Sequence, residues 1–477
     1  MRFNRLLVAF WLGCYQAAAF NVFAHFMVGN TKDYLRSDWE TDIKAAIECG
    51  VDAFAMNIAR DEPANSQLDL AFDVASSLNF KMFFSFDYAG LGSWEKDKVV
   101  NIINKYKGSK AYWFHAGKPL ASTFEGPGAA QDWPEIKSRT GCFFVPDWSS
   151  LGAKKATFDV GGGIIDGLFS WAAWPWGPTD MNTHGDASYM MFLQQGGKPT
   201  YMMPVSPAFY TNLPKWHKNW VWRGDDLWFD RWMQVIYLTR IQTDLPPPSF
   251  AQIISWNDFG ESHYIGPLNL KALYAFDEGQ ASFRYADGVH HTGFRRILPF
   301  VINLAKNGVA TVGTQWVTTW YRNSEGLACT YSGTTGNTHQ QMQREFSPPG
   351  IVADKVYYTA LLGAAAKVTV TVGGVSLNAD WTDTPAGGAG VYHGSASFRG
   401  RSGQVVVTVN GIATVVGTMP IGPCTQQNFN PYTYSAAGPS SGAVANIKGY
   451  TSCCAFYTGS VSVLVSRAMI SLPFGSS

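Results

Sequence analysis

Two carboxylates lie close together in the stretch AQIISWNDFGESHYIGP of residues 251–267: Asp258 and Glu261. The apolar run before them, Gln252 to Trp256, predicts a strand that is buried on both faces, as in a parallel sheet. In such folds the reacting groups lie at the carboxyl ends of strands. Two carboxylates beside an indole at such a place indicate general acid and base catalysis on a sugar. The structural alternative is that Asp258 caps the next segment and Glu261 is a solvated loop residue.

Other predicted strands also end in polar or aromatic residues. Three of these residues are acids: Asp87, Glu125 and Asp147. A single acid at a strand end is usually a cap, but five of them with Trp interspersed predict a carbohydrate-binding cleft. We therefore predict Asp258, Glu261 and Asp87 as catalytic. The residues that we predict to contact substrate are His25, Asn57, Glu125, Asp147, Trp171, Trp174, Trp256, Asn257 and Tyr264.

Several of these residues have plausible structural roles. His25 would either bind a sugar hydroxyl or be a satisfied core histidine. Asp87 would either assist the acid or form a structural ion pair. Glu125 and Asp147 would be additional substrate ligands or a displaced acid and base. The sequence leaves these alternatives open.

The elements that must position these residues are strands that alternate with helices. Most of the strand-like runs are followed by a helical pattern, and their number predicts an α/β fold with a (β/α)₈ barrel over residues 20–310. The β-branched runs KVTVTV and QVVVTV, separated by glycine-rich turns, predict a β-sandwich over 311–422. Residues 423–477 are predicted to form a small cysteine-containing appendage. The predicted barrel strands are 23–29, 53–58, 81–88, 120–126, 142–148, 167–174, 199–207 and 252–256.

The composition excludes several function classes. The chain has 36 Lys and Arg against 35 Asp and Glu, which argues against a nucleic-acid surface. Aromatic residues make up 15% of the chain, with 18 Trp, which suits stacking on sugar faces. No glycine-rich phosphate loop follows a strand, Ser206 in the sequence Pro-Val-Ser-Pro lacks the G-x-S-x-G elbow, and the His residues show no H-x₃-H or HExxH spacing. We therefore expect neither a cofactor nor a metal.

The N-terminus has the pattern of a signal peptide over residues 1–19: Arg2 and Arg5, an apolar run, and a small-residue cleavage site at Ala17–Ala19. No later apolar run reaches the ~18 residues of a membrane helix. We expect a secreted monomer, extracellular or associated with the cell wall.

Six cysteines follow the predicted signal peptide, which suggests disulfides. A bridge between Cys49 and Cys142 is one option, although the strands beside them are not neighbours. At least one local bridge is expected among Cys424, Cys453 and Cys454.

Four segments carry a family resemblance: FNVFAHFMVGN, FAMNIA, FFSFDY and SWNDFGESHYIGP. They resemble the fungal α-1,3-glucanases, or mutanases, of glycoside hydrolase family 71, from about Asn21 to the cysteine-containing tail. The resemblance implies a (β/α)₈ barrel with a β-sandwich and endo-hydrolysis of α-1,3-glucan with inversion. It also implies that Asp258 and Glu261 are the catalytic acids, with Asp87 as the acid of the third strand.

These residues lead to a hypothesis about mechanism. Glu261 would be the acid, its pKa raised by Trp256 and Tyr264, and Asp258 the base. Gly260 would allow an unusual backbone turn between them. The spacing permits both an inverting pair, about 6.5–9.5 Å apart, and a retaining pair at about 5–5.5 Å. The alternative function is a catalytically inactive cell-wall α-glucan-binding protein, against which the two intact acids argue.

Overall fold

The structure, a computed structural model, describes residues 20–60, 64–336 and 344–450 of the 477-residue chain. The predicted signal peptide and two of the predicted bridge cysteines, Cys453 and Cys454, lie outside these residues. Within the described part, no helix is both long and apolar enough to cross a membrane.

The first part of the chain is built on a curled parallel sheet. Its strands lie in the order β5-β3-β2-β1-β11-β8-β7, and β6 pairs with β5. Beyond β6, Asp147 forms isolated parallel bridges with both Phe124 and Phe169. The strands of this part are β1 (Asn21–Met27), β2 (Ala53–Ala59), β3 (Lys81–Asp87), β4 (Phe114–His115), β5 (Lys118–Phe124), β6 (Phe143–Phe144), β7 (Gly167–Phe169), β8 (Thr200–Val205), β9 (Phe209–Leu213), β10 (Lys218–Trp222) and β11 (Phe250–Ile253).

Helices connect most of the parallel strands, as the sequence predicts. Strand β2 is buried along its whole length, as expected for a strand covered on both faces. Helix α3 buries Val99, Val100 and Ile103 on one face, which is the helical spacing visible in the sequence. The helices are α1 (Arg36–Glu48), α2 (Ala64–Ser77), α3 (Lys96–Tyr106), α4 (Trp133–Thr140), α5 (Gly152–Lys155), α6 (His184–Gln195), α7 (Leu227–Arg240), α8 (Tyr274–Glu278) and α9 (Leu298–Asn307).

Two features near the carboxyl edge of the sheet differ from the prediction. Strand β11 ends at Ile253 and not at Trp256, so Asp258 lies in an irregular segment five residues beyond the strand. An antiparallel hairpin, β9–β10, is inserted between β8 and α7, and the sequence prediction missed it. The hairpin brings Lys218 to the carboxyl edge of the sheet.

The second part of the chain consists of antiparallel sheets, as predicted. Two four-stranded sheets, β17-β14-β13-β20 and β16-β15-β18-β19, share one apolar core that includes Val317, Tyr358 and Val407. Strand β20 pairs with β13, although it lies beyond the boundary at residue 422 that the sequence suggests. The strands are β12 (Val309–Thr311), β13 (Thr314–Tyr321), β14 (Lys355–Leu362), β15 (Val368–Val372), β16 (Val375–Ser376), β17 (Gly390–Ser397), β18 (Val405–Val409), β19 (Ala413–Val416), β20 (Tyr432–Ser440) and β21 (Val444–Asn446).

The disulfide of the described part of the chain does not join Cys49 to Cys142. Cys329 and Cys424 form a disulfide that spans 95 residues of sequence. Cys49 and Cys142 are free and buried, so the Cys49–Cys142 bridge is wrong. Their positions explain this, since each lies beside a different, non-adjacent strand of the sheet. Cys424 pairs with a distant cysteine and not with a neighbour in sequence.

The two parts are joined by polar contacts. Trp320 Nε1 donates to the carbonyl of Asp225 at 2.8 Å, and Arg322 forms an ion pair with the Asp225 carboxylate at 3.1 Å. His393 Nε2 lies 2.8 Å from Asp226 Oδ1. The antiparallel sheets therefore pack directly beside the start of α7, which follows the inserted hairpin.

Candidate active site

The segment from Ser255 to His263 holds the two central acids. The amide of Asp258 donates to Ser255 Oγ at 2.9 Å, and the amide of Glu261 donates to Asp258 Oδ1 at 3.0 Å. Asp258 thus stabilises the turn that it belongs to, which agrees in part with the alternative prediction that Asp258 caps the next segment. That role uses one carboxylate oxygen and leaves Oδ2 for chemistry.

Gly260 serves this turn through its small size. A Cβ at this position would lie 3.1 Å from Ala275 Cβ and 3.2 Å from Leu213 Cδ1, so the backbone is packed closely on two sides. The positive φ of the turn, 59°, belongs to Ser262. The predicted reason for Gly260, an unusual backbone conformation, is therefore wrong. A side chain here would require Ala275 and Leu213 to move by a few tenths of an ångström, so close packing favours glycine.

Glu261 is held by two partners, one at each carboxylate oxygen. Lys218 Nζ donates to Oε1 at 2.6 Å, and His263 Nε2 lies 3.0 Å from Oε2. His263 Nδ1 lies 2.9 Å from Ser255 Oγ. All donors are satisfied if the hydroxyl of Ser255 donates to Nδ1 and Nε2–H donates to Glu261. The network then fixes an ionised Glu261 beside Asp258.

The two acids have pKa values shifted in opposite directions. Lys218 and His263 outweigh the effect of burial on Glu261 and lower its pKa far below the ordinary carboxyl range. Burial and the nearby negative charge of Glu261 raise the pKa of Asp258. The predicted rise in the pKa of Glu261 is therefore wrong. Asp258 is the residue of this pair that is biased towards the protonated form.

Asp87, at the end of β3, is influenced by the charges of Lys218 and Glu261. It is 8% exposed, and its Oδ1 accepts hydrogen bonds from the amides of Ala89 and Gly90, both at 2.8 Å. Burial raises its pKa, while these two amides and Lys218 act to lower it and Glu261 acts to raise it. Asp87 thus shares an electrostatic environment with the Asp258–Glu261 turn, although it comes from a strand on the other side of β1 and β2.

Aromatic and histidine side chains surround this group. His25 lies against Trp171 with ring centroids 4.8 Å apart. Burial and His263 lower the pKa of His25 to about 3, so its ring is neutral. Trp174 stacks on His263 at 5.5 Å and donates its indole N–H to the carbonyl of Ala208. Asn57 is buried two residues before the end of β2, in register with Met27 and Ser85 of the adjacent strands.

Glu125 and Asp147 form a separate group that holds a loop. Both oxygens of Glu125 accept hydrogen bonds from Ser150, the amide at 2.9 Å and the hydroxyl at 2.5 Å. Asp147 is fully buried and accepts from the amide and hydroxyl of Ser149, whose Oγ in turn accepts the amide of Trp171 at 2.7 Å. Burial and Glu125 raise the pKa of Asp147 well above its usual range. These acids therefore position the segment that carries Trp171.

Three predicted contact residues are not brought together with the acids. Trp256 is fully buried, donates to Asp42 Oδ1 at 3.0 Å and packs on Phe54. The amide group of Asn257 forms two hydrogen bonds with the backbone of Met27. Tyr264 is fully buried and stacks on His291 at 4.1 Å. These side chains are committed to the packing around the turn.

One cluster in the described part of the chain has the composition of a metal site. Single ligand atoms of Asp258, Glu261 and His263 all lie within 4.8 Å of one another. The ammonium of Lys218 already places a positive charge 2.6 Å from Glu261. The negative charge that would attract a metal ion is therefore balanced by the protein itself.

The sequence prediction missed Lys218 and His263. His263 stands two residues after Glu261, and that spacing was a usable signal. Lys218 had a weaker signal: two strand-like runs, FYTNL and KNWVW, flank PKWH. This pattern is typical of a hairpin, but it does not reveal which acid the lysine meets.

Comparison with known proteins places the chain in a family. The model of Glycosyl hydrolase family 71 matches residues 18–445. A glucan endo-1,3-alpha-glucosidase of Schizosaccharomyces pombe is 32% identical over 432 residues, which cover 86% of this chain and 93% of the relative. A mutanase of Penicillium rubens is 33% identical over 453 residues, which cover 90% of this chain and 91% of that protein. The chain belongs to glycosyl hydrolase family 71.

Proposed function

We propose that the protein is a secreted enzyme that cleaves α-1,3-glucan internally, with inversion at the anomeric carbon. The observation that carries this proposal is the half-buried pair Asp258 and Glu261, whose pKa values are shifted in opposite directions at the carboxyl edge of a parallel sheet. Glycoside hydrolysis requires a carboxyl group that is protonated when the glycosidic bond breaks, and the ionised Glu261 keeps Asp258 in that form. The names of the two relatives supply the substrate class.

The scaffold of this proposal is a closed (β/α)₈ barrel. Seven parallel strands form one continuous ladder, and Asp147 bridges the remaining gap to β5 on one side and β7 on the other. In such a barrel the strand ends converge on a single face. His25, Asp87 and the Asp258–Glu261 turn then line one cleft.

Asp258 is the general acid in this mechanism. Its raised pKa keeps it protonated at a pH where Glu261 is ionised, and protonation of the leaving oxygen needs such a group. Glu261, fixed by Lys218 and His263, supplies the negative charge that holds the proton on Asp258. This assignment reverses the roles expected from the sequence.

The base that activates water comes from a different strand. One oxygen of Asp258 lies within 4.8 Å of one oxygen of Glu261, which leaves little room for the water of an inverting reaction. An inverting enzyme needs its base on the opposite face of the sugar. Asp87 fits that position because β3 is separated from β11 by β1 and β2. Its Oδ1 is bound to backbone amides, and Oδ2 is then the oxygen that receives the proton from water.

The proposal is tested by the first product. Insoluble α-1,3-glucan incubated with the enzyme should release gluco-oligosaccharides whose new reducing ends are initially β, as followed by proton NMR. β-1,3-Glucan and cellulose should release none. Comparable activity on a β-linked glucan would contradict the substrate assignment. Reducing ends that are initially α would contradict inversion and would leave the substrate assignment unaffected.

Lys218→Met should shift the acidic limb of the pH profile. Without the ammonium, the pKa of Glu261 rises towards the ordinary carboxyl range, and Glu261 becomes protonated at a higher pH than in the wild type. Since the mechanism requires an ionised Glu261, the acidic limb of kcat/KM should move up by about 1–3 pH units. Lys215→Met, an exposed lysine at the tip of the same hairpin, is the matched control and should leave the limb in place. If the acidic limb of kcat/KM in Lys218→Met stays where it is in the wild type, catalysis does not depend on the ionised form of Glu261.

A further inference from the structure

A groove with a volume of about 340 Å³ lies beside the inserted hairpin. Four separate segments line it, including Asn212 of β9, the loop at Ser282 and Phe283, and the exposed residues Thr425 and Gln426. Cys329 also lines it, and its disulfide with Cys424 ties two of these walls together. Its volume falls within the range of about 300–1,000 Å³ that is usual for ligand sites.

The lining of this groove selects a neutral, hydroxyl-rich ligand. None of its described lining residues has an ionisable side chain, because Cys329 is in a disulfide. Amide and hydroxyl groups supply both donors and acceptors, and the half-buried ring of Phe283 offers an apolar face. A phosphate, a metal ion or a nucleic acid would find no opposite charge here. A sugar chain matches both kinds of surface.

The groove and the catalytic turn share one hydrogen-bonded assembly. Tyr285 accepts the amide of Asn212 at 3.0 Å and donates to the carbonyl of Gly260 at 2.5 Å. Leu213 and Lys218 are cross-strand partners, so their side chains lie on one face of the hairpin, while Asn212 lies on the other. Since Lys218 points to Glu261, the groove lies behind the hairpin that carries this lysine.

We infer that this groove is a secondary binding site for a segment of a neutral glucan chain, outside the cleft where cleavage occurs. The inference rests on the proposed function, and it adds a non-catalytic site that anchors the polymer next to the active site. A short oligosaccharide occupies the cleft alone, whereas a polymer engages both places. The groove therefore affects binding and cleavage of the polymer without affecting the chemical step.

Two substitutions test the groove by different means. Phe283→Ala removes the ring, and Ser282→Arg fills the groove from an exposed position whose side chain supports no other part of the fold that we describe. Binding to insoluble α-1,3-glucan is measured by depletion from solution, together with kcat/KM on the polymer and on an α-1,3-linked trisaccharide. Ser402→Arg, on an exposed turn among the antiparallel sheets, is the control for an added surface arginine.

Both groove variants should bind the polymer about three- to tenfold more weakly, with kcat/KM on the trisaccharide within twofold of the wild type. The Ser402→Arg control should match the wild type in every assay. Polymer binding equal to the wild type in both variants would overturn the inference, and so would an equal loss on polymer and trisaccharide. A wild-type enzyme that cleaves neither substrate would instead overturn the proposed function, and this inference with it.

Discussion

Asp258→Asn should reduce turnover on α-1,3-glucan by about 10²–10⁴-fold, because general acid catalysis contributes that much to proton-coupled bond cleavage. The substitution is conservative for the fold. Asp258 Oδ1 accepts the amide of Glu261, and the oxygen of an asparagine can accept the same bond. The thermal midpoint should therefore stay close to that of the wild type, so that the loss reports on chemistry.

The identity of the leaving group separates the acid from its neighbour. The leaving group of a glycosyl fluoride is the fluoride ion, which departs without being protonated by the enzyme. The rate of Asp258→Asn on an α-1,3-linked diglucosyl fluoride should therefore stay within about tenfold of the wild-type rate. Glu261→Gln should lose at least about a hundredfold on both substrates, because the negative charge of Glu261 also stabilises the positive charge that develops on the sugar ring in the transition state, whichever group leaves. If Glu261→Gln is the variant that the fluoride rescues, Glu261 is the acid and the role of Asp258 is wrong.

Local patterns in the sequence were sufficient for the alternation of strands and helices. β2 and α3 are examples, since continuous burial and helical spacing of apolar residues are visible in the chain itself. The antiparallel region could be recognised for the same reason, because β15 and β18 consist of β-branched residues, of which every second one is buried. The parallel sheet also explains why the pKa of Asp87 responds to Glu261 and Lys218, whereas Glu125 and Asp147 form a separate group around Ser149 and Ser150.

The sequence could not reveal which charges meet across long distances in the chain. The pKa of Glu261 is decided by Lys218, 43 residues away on an inserted hairpin, and not by the aromatic residues next to it in sequence. Trp256 shows a second limit. Because β11 ends at Ile253, the alternation of faces stops before Trp256, and its indole turns to Asp42 of α1. In both cases tertiary contacts override the local pattern.

Asp87→Asn should also reduce turnover by about 10²–10⁴-fold, since it removes the group that accepts the proton from the attacking water. An asparagine oxygen can keep the hydrogen bonds from the amides of Ala89 and Gly90, so the end of β3 should hold its shape. Asp147→Asn is the matched control. Asp147 is also a buried strand-end aspartate whose Oδ1 accepts a backbone amide, but it lies in the group around Ser149.

Azide distinguishes a missing base from a distorted site. It attacks without giving up a proton, so azide should restore part of the activity of Asp87→Asn on an α-linked fluoride and yield the β-glycosyl azide. The Asp147→Asn control should show a much smaller loss and no dependence on azide, since Asp147 acts through the segment that holds Trp171. Near-normal turnover in Asp87→Asn would refute Asp87 as the base. A covalent glycosyl-enzyme trapped on Glu261 would show that the reaction retains configuration, with Glu261 as the nucleophile beside the acid Asp258.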